Sequence, residues 1–177
     1  MSREKKNIFE LTNCSVAQYR QLEKLPVAVL LDNVRSMYNV GSVFRTSDAF
    51  MVSEVILCGI TGCPPHPEIA KTALGANESV SWRYEEDALE TVKEMKRRGW
   101  IICVLEQTHG SIPLQNFSLE SENKYLLIAG NEVDGVNQKI VDIADTVIEI
   151  PQHGVKHSLN VSVSVGIALW QMLSIRL

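Results

Sequence analysis

The chain has 177 residues, 45% of them hydrophobic and 21% charged, with a formal net charge of −4. That length fits one domain with a real core, and the composition is neither disordered nor fibrous. A nucleic-acid binder usually carries an excess of Lys and Arg, so the acidic balance argues against a broad basic footprint.

No segment approaches the roughly 20 apolar residues of a membrane span. The polar stretch Met1 to Asn7 lacks the apolar centre of a secretory signal, so a cytoplasmic protein without a membrane association is expected. Cys14, Cys58, Cys63 and Cys103 form no Cys-x-x-Cys pair and read as free or buried thiols of a reducing compartment.

In chain order, Ser15 to Leu25 reads as a helix stopped by Pro26, and residues 1–26 as an N-terminal extension to a single domain at 27–177. Val27 to Leu31 is a continuous apolar run, the pattern of a strand buried on both faces. Val40, Phe44, Ser47 and Phe50 recur at helical spacing, with the helix expected to begin near Gly41. Glu54 to Cys58 is a second strand, Gly59 to Pro67 a loop with three prolines, and Ile69 to Leu74 a short helix ending at Gly75. Val80 to Tyr84 is a short strand, and Glu85 to Arg98 is an amphipathic helix with Ala88, Val92 and Met95 on one face. Strands follow at Trp100 to Leu105, Tyr125 to Ala129 and Thr146 to Ile150, with a helix at Asn137 to Ile143. Such alternation predicts a three-layer α/β domain with a mostly parallel sheet.

In open α/β sheets ligands sit outside the C-terminal ends of the strands. Polar groups gather at those ends here: Asn33 and Arg35, Glu106 and Gln107, Gly130-Asn131-Glu132, and the chain from Pro151 onward. Arg45 shares a helix face with Ser42 and Ala49; it is either a surface cation or an anion-facing guanidinium at the mouth of a site. Asn39 is either a helix cap or an active-site amide. Gly130 would let backbone approach a ligand, Gly135 would permit a tight turn, and Asn131-Glu132 could orient a sugar or hold a loop. Lys93, Lys96, Arg97 and Arg98 fit a solvated face or cations at a helix C-terminus, with contact to RNA as the alternative; Arg3, Lys5 and Lys6 form a second basic group. His153 and His157 lack a third ligand nearby, so no metal is expected.

The last segment is ambiguous. Ser158 has the character of a helix cap, but Asn160 to Val165 alternates with period two, as a strand does, and the apolar residues from Ile167 on are helical in character.

Three segments, Asn39 to Thr46, Gly130 to Val136 and Ile150-Pro151 with Ser158-Leu159-Asn160, resemble in order and content the three motifs of the SpoU (TrmH-like) branch of the SPOUT methyltransferases. The resemblance spans about Val27 to Leu173. It implies a C-terminal deep trefoil knot, against the general rule that chains do not thread, and a single buried helix from the motif serine onward. It also implies S-adenosylmethionine as methyl donor, a ribose 2′-hydroxyl of RNA as acceptor and a homodimer. Donor-binding loops would start at Leu105-Glu106-Gln107, at Gly130-Asn131-Glu132 and at Ile150, the last continuing through Ser158 and Leu159. The catalytic group would be Arg45, Asn39, Glu132, Ser158 and Asn160, with Arg45 activating or positioning the 2′-hydroxyl. Small members of this kind tend to act on tRNA, so tRNA is expected over rRNA. Met51 departs from the glycine found in many relatives. Competing readings are a non-catalytic RNA- or ligand-binding module, and a base-nitrogen methyltransferase, for which only Asp134 and Glu132 could take a ring proton.

Overall fold

A computed structural model of the chain describes residues 5–6 and 14–173. The first helix, α1 (Val16–Gln21), opens with a reciprocal cap in which Ser15 and Gln18 satisfy each other's backbone N–H groups. It is shorter than expected, because Leu25 and Pro26 already belong to strand β1 (Leu25–Asp32). Arg3 lies outside the described residues.

Helix α2 (Met37–Ala49) follows, then β2 (Val52–Cys58), α3 (Pro67–Ala73), α4 (Ala76–Ser79) and β3 (Trp82–Glu85). After α5 (Ala88–Arg97) and β4 (Trp100–Leu105) come the two-residue β5 (Ile112–Pro113) and a 3-10 turn at Leu114–Asn116. The chain continues with β6 (Lys124–Gly130), α6 (Gln138–Ile143), β7 (Thr146–Glu149) and α7 (Val161–Leu173). The sheet has seven strands in the order β3-β2-β1-β6-β4-β7-β5, and every pairing is parallel.

Strand periodicity builds the three layers. Val27, Val29 and Leu31 of β1 pack in one core with Val40, Val43 and Phe44 of α2 and with Val165, Ala168 and Leu169 of α7. Ala28 and Leu30 point the other way, into a core with Val92 and Met95 of α5 and Ile140 of α6. Burial pushes the Cys58 and Cys103 thiols up to about 12, Cys58 also through Asp32 and Glu85, and all four cysteines are free.

Local pattern misleads at α7. Its apolar residues that matter are four apart, with Val161 and Val165 buried, while Val163 between them is 49% exposed on the opposite face. Asn160, rather than Ser158, caps this helix: its Oδ1 accepts from the backbone N–H of Ser162 at 2.9 Å and Val163 at 3.4 Å. Helix α2 likewise begins at Met37, not near Gly41. Ser36 is its cap, so Asn39 stands inside the first turn. Gly41 is then a packing glycine, since a Cβ there would fall 2.3 Å from the Ile69 carbonyl of α3. Met51 adopts a left-handed φ of 55° just after α2, which is where a glycine is conformationally at ease.

Three of the four cations near the end of α5 have partners that account for them. Lys93 pairs with Glu90, Lys96 with Asp145, and Arg98 with Glu94. The strand order, with β7 seated between β4 and β5, is compatible with the threaded C-terminal segment that the resemblance implies. No helix among the described residues is long and apolar enough to cross a membrane.

Candidate functional site

A cavity of about 730 Å³ opens at the C-terminal ends of β4, β6 and β7. Three chain exits wall it. Leu105, Glu106 and Gln107 come from β4; Gly130, Asn131 and Glu132 from β6; Ile150 from β7, with Ser158 and Leu159 returning along the loop before α7. All nine residues expected to bind a donor therefore meet at one place. Sequence reasoning did not single out Glu149, which also lines it.

The walls hold themselves by specific bonds. Glu106 accepts from the backbone N–H of Val136 at 3.1 Å and of Gln107 at 2.9 Å. Gln107 donates its side-chain amide to the carbonyl of His157 at 2.8 Å, which ties the β4 exit to the last loop. Residues Asn131 and Gly135 exchange backbone hydrogen bonds, closing the turn between them. Gly130 lines the cavity, and a Cβ there would lie 2.0 Å from the Gly135 backbone, so the chain itself also needs the glycine.

The three motif segments are joined in one line of hydrogen bonds. Asn160 Nδ2 donates to Asn39 Oδ1 at 3.0 Å, and Asn39 Nδ2 donates to Glu132 Oε1 at 2.9 Å. The Glu132 carboxylate also accepts from the backbone N–H of Ser36 and of Arg35, both at 3.3 Å, at the start of α2. A carboxylate is well placed there, where helix N–H groups lack intrahelical partners. Burial raises its pKa, but the hydrogen bonds from Asn39, its own amide, Arg35 and Ser36 outweigh that, and the net shift is downward. Asn39 is thus a link between Glu132 and Asn160, not the helix cap.

Arg45 stands apart. It is exposed, does not line the cavity, and makes no hydrogen bond or ion pair with the described residues. Asn33 is not brought to the cavity either; with a left-handed φ of 55° it faces a second hollow beside Asp87 and accepts from the Ile60 N–H at 3.1 Å. His66 caps α3, and among the described residues no cluster of His, Cys, Asp or Glu could hold a metal ion. Two residues that the sequence reading passed over hold the chain where it leaves β1. Asp32, buried, accepts from the Asn137 N–H at 3.0 Å, and Thr61 bridges the Leu31 carbonyl and the Val34 N–H. A strand-terminal aspartate was the available signal for the first; a lone threonine in a loop gives none.

Glu106, Glu132, Asp134 and Glu149 line the cavity, and among the described residues no lysine or arginine does. A cavity of that charge suits a cationic ligand. Apolar walls from Leu105, Ala129, Val141 and Leu159 suit a flat heteroaromatic portion.

Fold and cavity together define an α/β protein with a carboxylate-lined cavity at the carboxyl edge of a parallel sheet. The chain belongs to the SpoU rRNA Methylase family, whose model matches residues 26–170. It is 31% identical over 149 residues to a 23S rRNA (guanosine-2′-O-)-methyltransferase RlmB of Neisseria meningitidis serogroup B, covering 84% of this chain and 58% of that protein. Among solved structures it resembles an AdoMet-bound rRNA methyltransferase from Sinorhizobium meliloti, with TM-score 0.81 and 25% identity over 90% of this chain and 60% of that one. It also resembles the A. aeolicus TrmH/SpoU tRNA modifying enzyme, with TM-score 0.77 and 28% identity over 88% of this chain and 79% of that one. The chain spans less than two thirds of the length of the curated relatives named RlmB that it matches.

Proposed function

We propose that this protein is an S-adenosylmethionine-dependent methyltransferase acting on a ribose 2′-hydroxyl of RNA. The observation that carries the reading is the line Asn160–Asn39–Glu132, which knits all three motifs at the rim of a carboxylate-lined cavity. The residues present fit the donor. Glu106, Asp134 and Glu149 complement its sulfonium and ammonium charges, and the Leu105, Ile150 and Leu159 walls accept its adenine. When bound, S-adenosylmethionine supplies an electrophilic methyl group.

The protein's own part is alignment and charge. Glu132 and Asn39 hold the start of α2, and α2 carries Arg45 outward on its exposed face. A guanidinium holds its proton too firmly to serve as a base. Arg45 instead clamps the phosphate beside the target ribose and stabilises the oxygen as its charge grows, and the clamped phosphate receives the proton. Ser158 stands on the cavity wall, where it orients the donor. Because the Glu132 carboxylate is occupied by three donors, it is poorly suited to take a proton from a base, which weighs against base methylation.

Within this reading tRNA is the substrate we favour over rRNA. Supporting it, the chain resembles the A. aeolicus TrmH/SpoU tRNA modifying enzyme, at 28% identity and TM-score 0.77. A homodimer belongs to the same proposal. Val163, Ile167 and Trp170 form an exposed apolar stripe along α7, 49%, 39% and 57% exposed, that a second copy would cover, and light scattering reads the assembly directly. The threaded C-terminus and a cytoplasmic setting, which the free thiols suit, complete it.

The deciding measurement is mass spectrometry of nuclease-digested tRNA and rRNA from cells with and without the protein. A 2′-O-methylated nucleoside that disappears from tRNA is expected; a missing base-methylated nucleoside refutes the assignment. In vitro, Arg45→Ala should keep donor binding by calorimetry while methyl transfer falls by at least about 100-fold. Transfer by that variant at the wild-type rate would overturn the role given to Arg45.

A further inference from the structure

The exposed face of α2 is made by Tyr38, Ser42, Arg45 and Ala49, which recur at i, i+4, i+7 and i+11, while Asn39, Val40, Gly41, Val43, Phe44 and Ser47 are buried. On this wheel Tyr38 and Arg45 nearly eclipse each other, roughly 20° apart and about 10 Å along the axis. Tyr38 is 42% exposed, a large aromatic ring at the surface one residue from the Asn39 link. Its place is fixed from below: its carbonyl accepts from Ser42 Oγ at 2.8 Å and from Thr72 Oγ1 at 2.9 Å. Lys71 of α3 holds its ammonium 5.7 Å from the ring centroid, and the exposed Arg35 lies just before the helix. In a chain of net charge −4, Lys71 stands beside this ring, Arg45 follows it on the same face of α2 and Arg35 precedes the helix, with the Glu132 carboxylate at the helix start and Glu68 on α3 as anions.

A flat aromatic surface flanked by cations is the arrangement that binds an unpaired base with its phosphates. We infer that Tyr38 is a stacking platform for an unpaired nucleotide next to the one whose phosphate Arg45 clamps, so that the protein selects single-stranded or loop RNA over duplex. The rise between the two side chains is about that of one to two nucleotides of extended strand. In a duplex every base face is already covered by its neighbours, and Tyr38 has nothing to stack on. This inference rests on the RNA-methylating reading above.

The test uses the full chain with fluorescein-labelled oligouridylate, whose bases are unstacked, and with the same strand annealed to oligoadenylate. In anisotropy titrations Tyr38→Ala should weaken binding of the single strand roughly ten-fold. Tyr38→Phe, which keeps the ring, should stay within about two-fold of wild type. Duplex binding should be unchanged by either substitution. S-adenosylmethionine binding by calorimetry and molar mass by light scattering are measured on each variant. Equal single-strand affinity in wild type and Tyr38→Ala overturns the stacking role while leaving the methyltransferase reading intact. A change of molar mass in Tyr38→Ala overturns it too, by making Tyr38 an interface residue for a second copy. If wild type binds neither RNA yet binds the donor, the RNA reading itself fails, and this inference with it.

Discussion

Replacing Glu132 tests whether its carboxylate is what seats α2. In Glu132→Ala the backbone N–H groups of Arg35 and Ser36 lose an acceptor, as does the side-chain amide of Asn39, which is only 9% exposed. Loss of a cap-like acceptor at a helix start costs about 1 kcal/mol. A nearly buried amide left unpaired costs about 1–3 kcal/mol more. Glu132 itself is exposed, so water replaces part of what is lost, and the lower end applies: about 2 kcal/mol in all. For a chain of this size that lowers Tm by roughly 4–8 °C. Glu132→Gln keeps one acceptor oxygen and loses the charge, so it should cost about half as much. The pH dependence follows from the depressed pKa of the carboxyl. A group whose folded pKa lies below its unfolded one stabilises fully above the unfolded value and stops doing so as pH falls through the folded one. Thermal unfolding by circular dichroism from about pH 7 to about pH 3 should therefore show the gap between wild type and Glu132→Gln narrowing below about pH 4.3. An unchanged Tm in Glu132→Ala, or a gap that holds constant through that range, would refute the seating argument.

Gly130→Ala should be among the most damaging single-methyl additions. Its Cβ would fall 2.0–2.2 Å from the backbone of Gly135 and Val136, so the turn at residues 131–135 must move. A loss of about 1–3 kcal/mol in urea unfolding and loss of calorimetric donor binding are expected; full binding would mean that the turn does not shape the cavity. Leu74→Gly should act in the opposite direction. Leu74 caps α3 with a left-handed φ of 50° while 65% exposed, so glycine relieves strain and surrenders little burial. A gain of about 0.5–1 kcal/mol is expected after the unfolded-state entropy of glycine is subtracted, read as a Tm rise of roughly 2 °C. A fall in Tm would show that the side chain's packing matters more than its backbone.

Strands buried on both faces were the most legible part of the chain. Trp100–Leu105 is a plain apolar run whose ends coincide with β4, and Val27 to Leu31 lies wholly inside β1. Such runs carry their own evidence, because a strand covered on both faces leaves little room for polar residues. Short edge strand β5 has two residues and no pattern, so nothing local announces it. At α7 the alternation of valine and serine imitates a strand; only the packing of Val161 and Val165 on one side, with Val163 left outside, selects the helix. The site divides in the same way. Clustering of polar residues at strand ends already located the cavity walls, because a parallel sheet forces those ends together. The role of Asn39 was not legible, since both of its partners lie far along the sequence, 93 residues away at Glu132 and 121 at Asn160. Position along a helix cannot distinguish a cap from a link until Ser36 is seen to be the cap.

The span of that link bears on how the protein comes into being. A ribosome delivers Asn39 well before Asn160, so a growing chain can lay down α2 and most of the sheet while Asn39 still lacks its last donor. Contacts this distant are late and slow to form, because the loop-closing entropy must be met before they contribute. Completion of the site is thereby tied to arrival of the final helix. A chain stalled or cleaved ahead of Asn160 would hold much of the sheet but not the finished rim, which makes synthesis of the last segment a checkpoint on competence to bind.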